Sequence, residues 1–210
     1  MTHRSLRYIL TALLIVVLLG GLLMARGRRT QSDARPLEGL GDFGTVPDFA
    51  LTDRSGKPVT LSDLKGKIWL ADFIYTACQD TCPLESAAMA QLQNDLKSDG
   101  FRLVSFSVDP ERDTPAVLAR YAELFHADSA RWLFLTGKKN DVYRLVQDGF
   151  HLSAIPIADD SLHVDGAVFH DAHFILVDGS ARIRGYYESN DAAALKRLAA
   201  DAKKLLAENG

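Results

Sequence analysis

Cysteine is scarce in this chain: 210 residues contain two, Cys78 and Cys82. With none to spare, nothing points to a structural disulfide framework. A strong excess of charge of one sign is also missing. A formal net charge of −3, with 24% charged residues, provides no basic face of the kind nucleic acids require. Repeats, low-complexity tracts and collagen-like periodicity are absent. An apolar content of 47% is ordinary for a protein that buries a real core. The length fits one domain plus an appendage.

The appendage is N-terminal. Residues 8–25 carry no charge. As a helix they would extend about 27 Å at about 1.5 Å per residue, close to the hydrocarbon thickness of a bilayer. A signal peptide has a shorter apolar stretch and ends at a small-residue cleavage site. Here Leu23-Met24-Ala25-Arg26 is a poor cleavage site, and no cysteine follows for lipidation. The expectation is a tail at 1–7, an uncleaved transmembrane anchor at 8–25, a polar Gly-rich linker at 26–46 and a globular domain at 47–210. Arg26, Arg28, Arg29 and Arg35 follow the span, against Arg4 and Arg7 before it. Taken alone, the positive-inside rule would leave the domain in the cytoplasm.

Within the domain, residues 48–53 and 59–61 predict a strand, a turn and a return strand. Residues 67–74 are apolar and β-rich, as a strand buried on both faces would be. Pro83 suits the first position of a helix. Leu84, Ala88, Leu92 and Leu96 then predict one buried helical stripe. A strand follows over 101–108. Thr114-Pro115 is an N-cap with proline at N1, opening a helix to about His126. A strand is expected at 132–136, and a helix at 141–147 with Gly149 as its C-cap. The Asp178-Gly179-Ser180 turn makes a hairpin of its flanking strands, and 191–207 closes the domain as an amphipathic helix. This order predicts an α/β thioredoxin-like sandwich. The stretch 151–169 has no periodicity and is long enough to mark a functional loop.

The two cysteines stand four apart, between an apolar strand and a helix, so one helical turn aims both sulfurs the same way. A helix N-terminus favours thiolates. Such a pair is a redox couple or a soft-metal clamp, set against the bland alternative of two small buried hydrophobes. Of the histidines, His3 lies outside the domain, His126 ends a helix, and His151 and His163 read as solvated loop residues. His170 and His173 enter the strand at 174. Three apart in an extended segment, they point to opposite sides.

The chain resembles the Sco/SenC family, the membrane-anchored, thioredoxin-like copper proteins of cytochrome c oxidase assembly. The likeness covers about 47–207. It is carried by Lys65-Gly66-Lys67-Ile68-Trp69-Leu70-Ala71-Asp72-Phe73-Ile74-Tyr75-Thr76 running into Cys-X-X-X-Cys-Pro. Ser107-Val108-Asp109-Pro110-Glu111-Arg112-Asp113-Thr114-Pro115, Phe174-Ile175-Leu176-Val177-Asp178 and Arg182-Ile183-Arg184-Gly185-Tyr186-Tyr187 complete it.

The resemblance implies copper, as Cu(I), Cu(II) or both, held by Cys78, Cys82 and one histidine. The family's histidine stands eight residues before the aspartate matching Asp178, which selects His170. It also implies that Asp109 tunes the site. The implied partners are the copper-site subunit of cytochrome c oxidase and a copper-donor chaperone. The implied location is the bacterial inner membrane, with the domain in the periplasm, a placement that overrides the arginine count.

Two residues depart from the family pattern: Asp171 stands where Ser or Thr often follows the histidine, and His173 is an additional imidazole. The residues themselves agree with a metal. Thioredoxin-type oxidoreductases use Cys-X-X-Cys and a cis-proline before the facing strand, whereas here the spacing is wider and His170-Asp171 takes the matching place.

Copper delivery is the leading expectation, with a membrane-tethered thiol–disulfide oxidoreductase acting through Cys78 and Cys82 as the alternative. A peroxiredoxin reading uses Thr76 and Cys78 but lacks the Pro-rich peroxidatic motif. A zinc site from Cys78, Cys82, His170 and His173 is opposed by the divergence of the two histidines.

Overall fold

Seven consecutive residues with no exposed member, Ile68–Ile74, form the strand around which the domain is built. The computed structural model describes residues 40–79, 81–152 and 172–208. The expected tail, anchor and most of the linker lie outside them, as do His163, His170 and Asp171. Among the described residues no helix is long and apolar enough to cross a membrane.

The strands are β1 (Ala50–Asp53), β2 (Pro58–Thr60), β3 (Ile68–Ile74), β4 (Phe101–Ser107), β5 (Trp132–Thr136), β6 (His173–Val177) and β7 (Ile183–Glu188). They form one sheet in the order β2-β1-β5-β4-β3-β6-β7. The central β3, β4 and β5 run parallel, and antiparallel pairs close both edges. The helices are α1 (Thr81–Asp95), α2 (Pro115–Leu124), α3 (Lys139–Arg144) and α4 (Ala192–Glu208). This is the expected thioredoxin-like sandwich.

Alternation along β3 divides its side chains between two cores. Ile68, Leu70 and Ile74 face α1, α2 and α4, with Phe101, Leu103, Trp132 and both cysteines in the same cluster. Trp69, Ala71 and Phe73 face the other way, packing with Phe106, Val146 and Phe150. Helices on both sides are what make the strand apolar throughout. Removing one of these side chains from water stabilises the fold by about 1.5–3 kcal/mol.

Three expectations are corrected. Leu84 does not belong to the buried stripe: it is 70% exposed, whereas Leu92 and Leu96 are buried as expected, Ala88 packs against the same core, and α1 also buries Cys82, Glu85, Ser86, Met89 and Gln93. The first turn of the buried side is taken by Cys82, Glu85 and Ser86, so apolar spacing misplaces the stripe there and places it correctly further along. The helix at 141–147 is instead α3 followed by a π-helical turn, Leu145–Gly149, in which Phe150 N–H donates to the Leu145 carbonyl at 2.9 Å. Gly149 works there through its missing side chain, since a Cβ would stand 2.8 Å from Pro47 Cδ. Finally, ordered structure begins before Pro47. The Gly41 and Phe43 amides donate to Arg184 and Ile183 along β7, and Val46 is buried.

Candidate metal and redox site

The loop from β3 to α1 carries the first cysteine, and the first turn of α1 carries the second. Cys78 N–H closes a turn on the Tyr75 carbonyl at 3.2 Å. Helix α1 begins at Thr81, with Pro83 in its first turn where the amide would lack a partner anyway. The Cys82 amide points back at Cys78 Sγ, 3.4 Å away. The cysteine side chains are also hydrogen-bonded to each other. Both are thiols, 8% and 4% exposed. Burial pushes the Cys82 thiol far up; the Tyr75 backbone opposes this, while Cys78 and the Glu85 charge reinforce it. The two sulfurs therefore differ. Cys78 receives an amide N–H at a helix N-terminus, whereas Cys82 holds its proton.

A buried carboxylate fixes the loop. Asp113 accepts from Thr76 Oγ1 at 2.6 Å, from Thr76 N–H at 3.1 Å and from Ser107 Oγ at 2.6 Å. Burial raises its carboxyl above the usual range, and the Ser107 and Thr76 hydrogen bonds oppose that rise. Asp109 sits one turn earlier. Its carboxylate forms an ion pair with Arg112 at 3.3 Å, its amide donates to Ser107 Oγ, and its carbonyl receives the Asp113 amide. Asp113, which sequence reasoning did not single out, is thus the aspartate bonded to the cysteine loop. The available signal was its place just before the Thr114 cap, at the end of a strand whose own Ser107 is buried.

A second set of buried polar groups lies beneath α1. Asp72 stands between Leu70 and Ile74 on β3, on the face packed against the helix, and is 1% exposed. Neither of its carboxyl oxygens has a hydrogen-bond partner. Desolvation pushes its pKa up to about 8; Ser105 moderates this and the Glu85 charge adds to it. The Ser105 hydroxyl, opposite Asp72 on β4, already accepts from Trp132 Nε1 at 2.9 Å. Glu85 accepts from Ser189 Oγ at 2.8 Å, and Ser86 shares a hydrogen bond with Tyr121 Oη at 2.9 Å.

His173 opens β6 opposite Glu188, half-buried. His151 is exposed. His126 follows α2 in the left-handed region at φ 52°. Its carbonyl accepts from Gln93 Nε2 at 3.3 Å. Among the described residues no group of three His, Cys, Asp or Glu side chains is gathered as a metal ion would need. The two sulfurs come together; the expected third donor, His170, lies outside the described residues.

Comparison with known proteins gives a consistent result. The SCO1/SenC family model matches residues 39–207. The SCO1 protein homolog of Bacillus subtilis is 32% identical over 160 residues, 75% of this chain and 81% of its own. The structure of BsSco, described as a member of the Sco family of cytochrome c oxidase assembly proteins with a disulfide switch, is 31% identical. It superposes with a TM-score of 0.67, covering 81% of this chain and 95% of BsSco. Bradyrhizobium japonicum ScoI, solved with copper bound, is 27% identical with a TM-score of 0.60, over 77% and 99% of the two chains. A family match that spans nearly the whole described fold, cysteine loop included, leads to one conclusion: the chain belongs to the SCO1/SenC family.

Proposed function

We propose that the protein binds copper through Cys78, Cys82 and His170 and hands it to the dinuclear copper site of a cytochrome c oxidase subunit during assembly. A copper-donor chaperone supplies the ion. Residues 8–25 anchor the domain in the bacterial inner membrane, facing the periplasm. The observation that carries this reading is the convergence of two thiols at the start of α1, with the Cys82 amide directed at Cys78 Sγ. The copper-bound structure of a relative, ScoI, supports it.

Copper is cargo here, and the donor set suits that role. Soft thiolates and an imidazole match copper, and they become ligands by losing protons, so loading releases protons. A site at a loop and helix end, with both sulfurs nearly but not wholly buried, lets ligands exchange with a partner. Asp113 keeps the Cys78 loop in register, and Asp109, paired with Arg112, sets the charge of the neighbouring loop.

A second reading has its own support. The thiols are already hydrogen-bonded to each other, and BsSco, a relative, is described as having a disulfide switch. On that reading the protein keeps the oxidase's copper-ligand cysteines reduced, using Cys78 and Cys82 without His170. Competition titration of Cu(I) into the reduced full-length chain separates the two. Cys82→Ser is expected to abolish tight binding, and His170→Ala to weaken it by more than about tenfold, or about 1.4 kcal/mol. Equal affinity in the wild type and Cys82→Ser would remove the copper reading. If His170→Ala bound as the wild type does, with dithiol exchange intact, the second reading would take its place.

A further inference from the structure

The buried side of α1 breaks its apolar pattern one turn after Cys82, and the group that answers this break comes from a distant part of the chain. Met89 and Leu92 on the same side need only packing, whereas Glu85 is a carboxylate 8% exposed. Its Oε1 accepts from Ser189 Oγ at 2.8 Å, a charge-assisted bond in the interior. Ser189, itself 6% exposed, stands in the connection between β7 and α4. Its amide donates in a second direction, to the Ala172 carbonyl at 2.8 Å. One residue thus joins the start of α1 to the residue that leads into β6. Glu85 is three residues beyond Cys82, so both lie on one side of the helix.

The place this tie reaches bears on the third donor. Along β6, Phe174 and Leu176 pack in the cluster that holds both cysteines, while Ile175 and Val177 pack in the other. By the same alternation His173 goes with Ile175 and Val177, on the side of the sheet away from the sulfurs. That leaves His170, of the two histidines before this strand, to serve the pair. Two residues of chain span at most about 7 Å, so whatever fixes Ala172 also limits where position 170 can reach. We propose that Ser189 is a positioning residue of the copper site: by tying Glu85 of α1 to Ala172, it sets the distance between the Cys82 turn and the segment that delivers His170. The inference rests on the copper reading above. The role of Ser189 is indirect, since its hydroxyl and amide hold two elements and the ligands come from those elements.

The test is a double-mutant cycle on the reduced full-length chain, read by competition titration of Cu(I). Ser189→Ala keeps the backbone bond to Ala172 and removes the tie to Glu85. It should weaken binding at least about fivefold where His170 is present, and leave it within about 1.5-fold in His170→Ala, because a device that acts through an imidazole has no effect once the imidazole is gone. Equal losses in both backgrounds, or none in either, would overturn the proposal.

Two further readouts separate positioning from general stability. In hydrogen exchange on the metal-free chain, Ser189→Ala should lose protection by about tenfold or more at the amides pairing the start of β6 with β7, while β3 and β4 keep theirs. Unchanged protection at β6, or a loss spread over β3 and β4, would also overturn the proposal. Ser189→Thr retains the hydroxyl and should bind Cu(I) as the wild type does; a loss equal to that of Ser189→Ala would count against it. The arms keep the two questions apart. Wild-type affinity in His170→Ala removes the copper reading and this inference with it, whereas a weakened His170→Ala beside an unaffected Ser189→Ala removes this inference alone.

Discussion

Three buried acids surround the cysteines, and each is handled differently. Asp113 accepts from Thr76 and Ser107, Glu85 accepts from Ser189, and Asp72 has only the Ser105 hydroxyl nearby, without a well-formed hydrogen bond. The first therefore serves position, while the last burdens the fold with a charge it cannot solvate. The sign follows from linkage. The Asp72 pKa rises from 3.8 in the unfolded chain to about 8 in the folded one, so the folded state binds more protons across that window. Stability falls as pH rises from about 4 to about 8, by an amount on the order of 5 kcal/mol at most. Asp72→Asn removes the ionisable group. In urea unfolding at pH 5, 7 and 9, its advantage over the wild type should be small at pH 5 and grow to a few kcal/mol at pH 9. An advantage independent of pH would contradict this account. At this scale the sequence was partly legible. The cysteines announce themselves through spacing and the following proline. The acids do not, because Asp72 sits in an apolar run that reads as strand and Asp113 in a polar run that reads as loop.

Helix α1 shows why periodicity misled where chemistry concentrates. A helix over a functional site buries polar residues near that site, so apolar side chains mark the inward face at Met89 and Leu92 but not in the first turn. Leu84 ends up in solvent next to the site, and Glu85, Ser86 and Gln93 turn inward. Gln93 links α1 to the end of α2: its Oε1 accepts from the Asp128 amide at 2.8 Å, and its Nε2 donates to the His126 carbonyl. Gln93→Leu strands both backbone groups near the interior. By chemical denaturation it should cost about 1–3 kcal/mol, whereas Leu84→Gln should stay within about 0.5 kcal/mol of the wild type. The reverse order would show that the inward face is misassigned. Elements governed by local rules were readable. The Thr114 side chain accepts from Val117 N–H as a cap, with Pro115 next, and β3 and β5 fall where their apolar runs lie.

Across the whole molecule, strand number and type were legible, but the neighbours of each strand were not. Nothing local in Ala50–Asp53 says that it pairs with β5 from a distant part of the chain, or that residues 41–46 lie along β7. Those pairings are set by which edges the central parallel strands leave open. The proposed third donor, His170, belongs to the same class of problem, since whether it meets the sulfurs depends on a long sequence stretch with no periodicity. The location of the domain is a whole-molecule property too. The flanking arginines and the family resemblance give opposite answers, and the proposal follows the resemblance. An alkaline phosphatase fusion after Gly210 should be active outside the membrane; activity confined to a cytoplasmic reporter at the same position would place the domain inside.

The central claim is that two sulfurs from the β3–α1 region and an imidazole from position 170 hold one copper ion. X-ray absorption on the copper-loaded full-length chain tests it most directly. The wild type should show two sulfur neighbours and one nitrogen from imidazole, and His170→Ala should keep the sulfurs while losing the imidazole signature. A first shell without sulfur, or one unchanged in His170→Ala, would contradict the account.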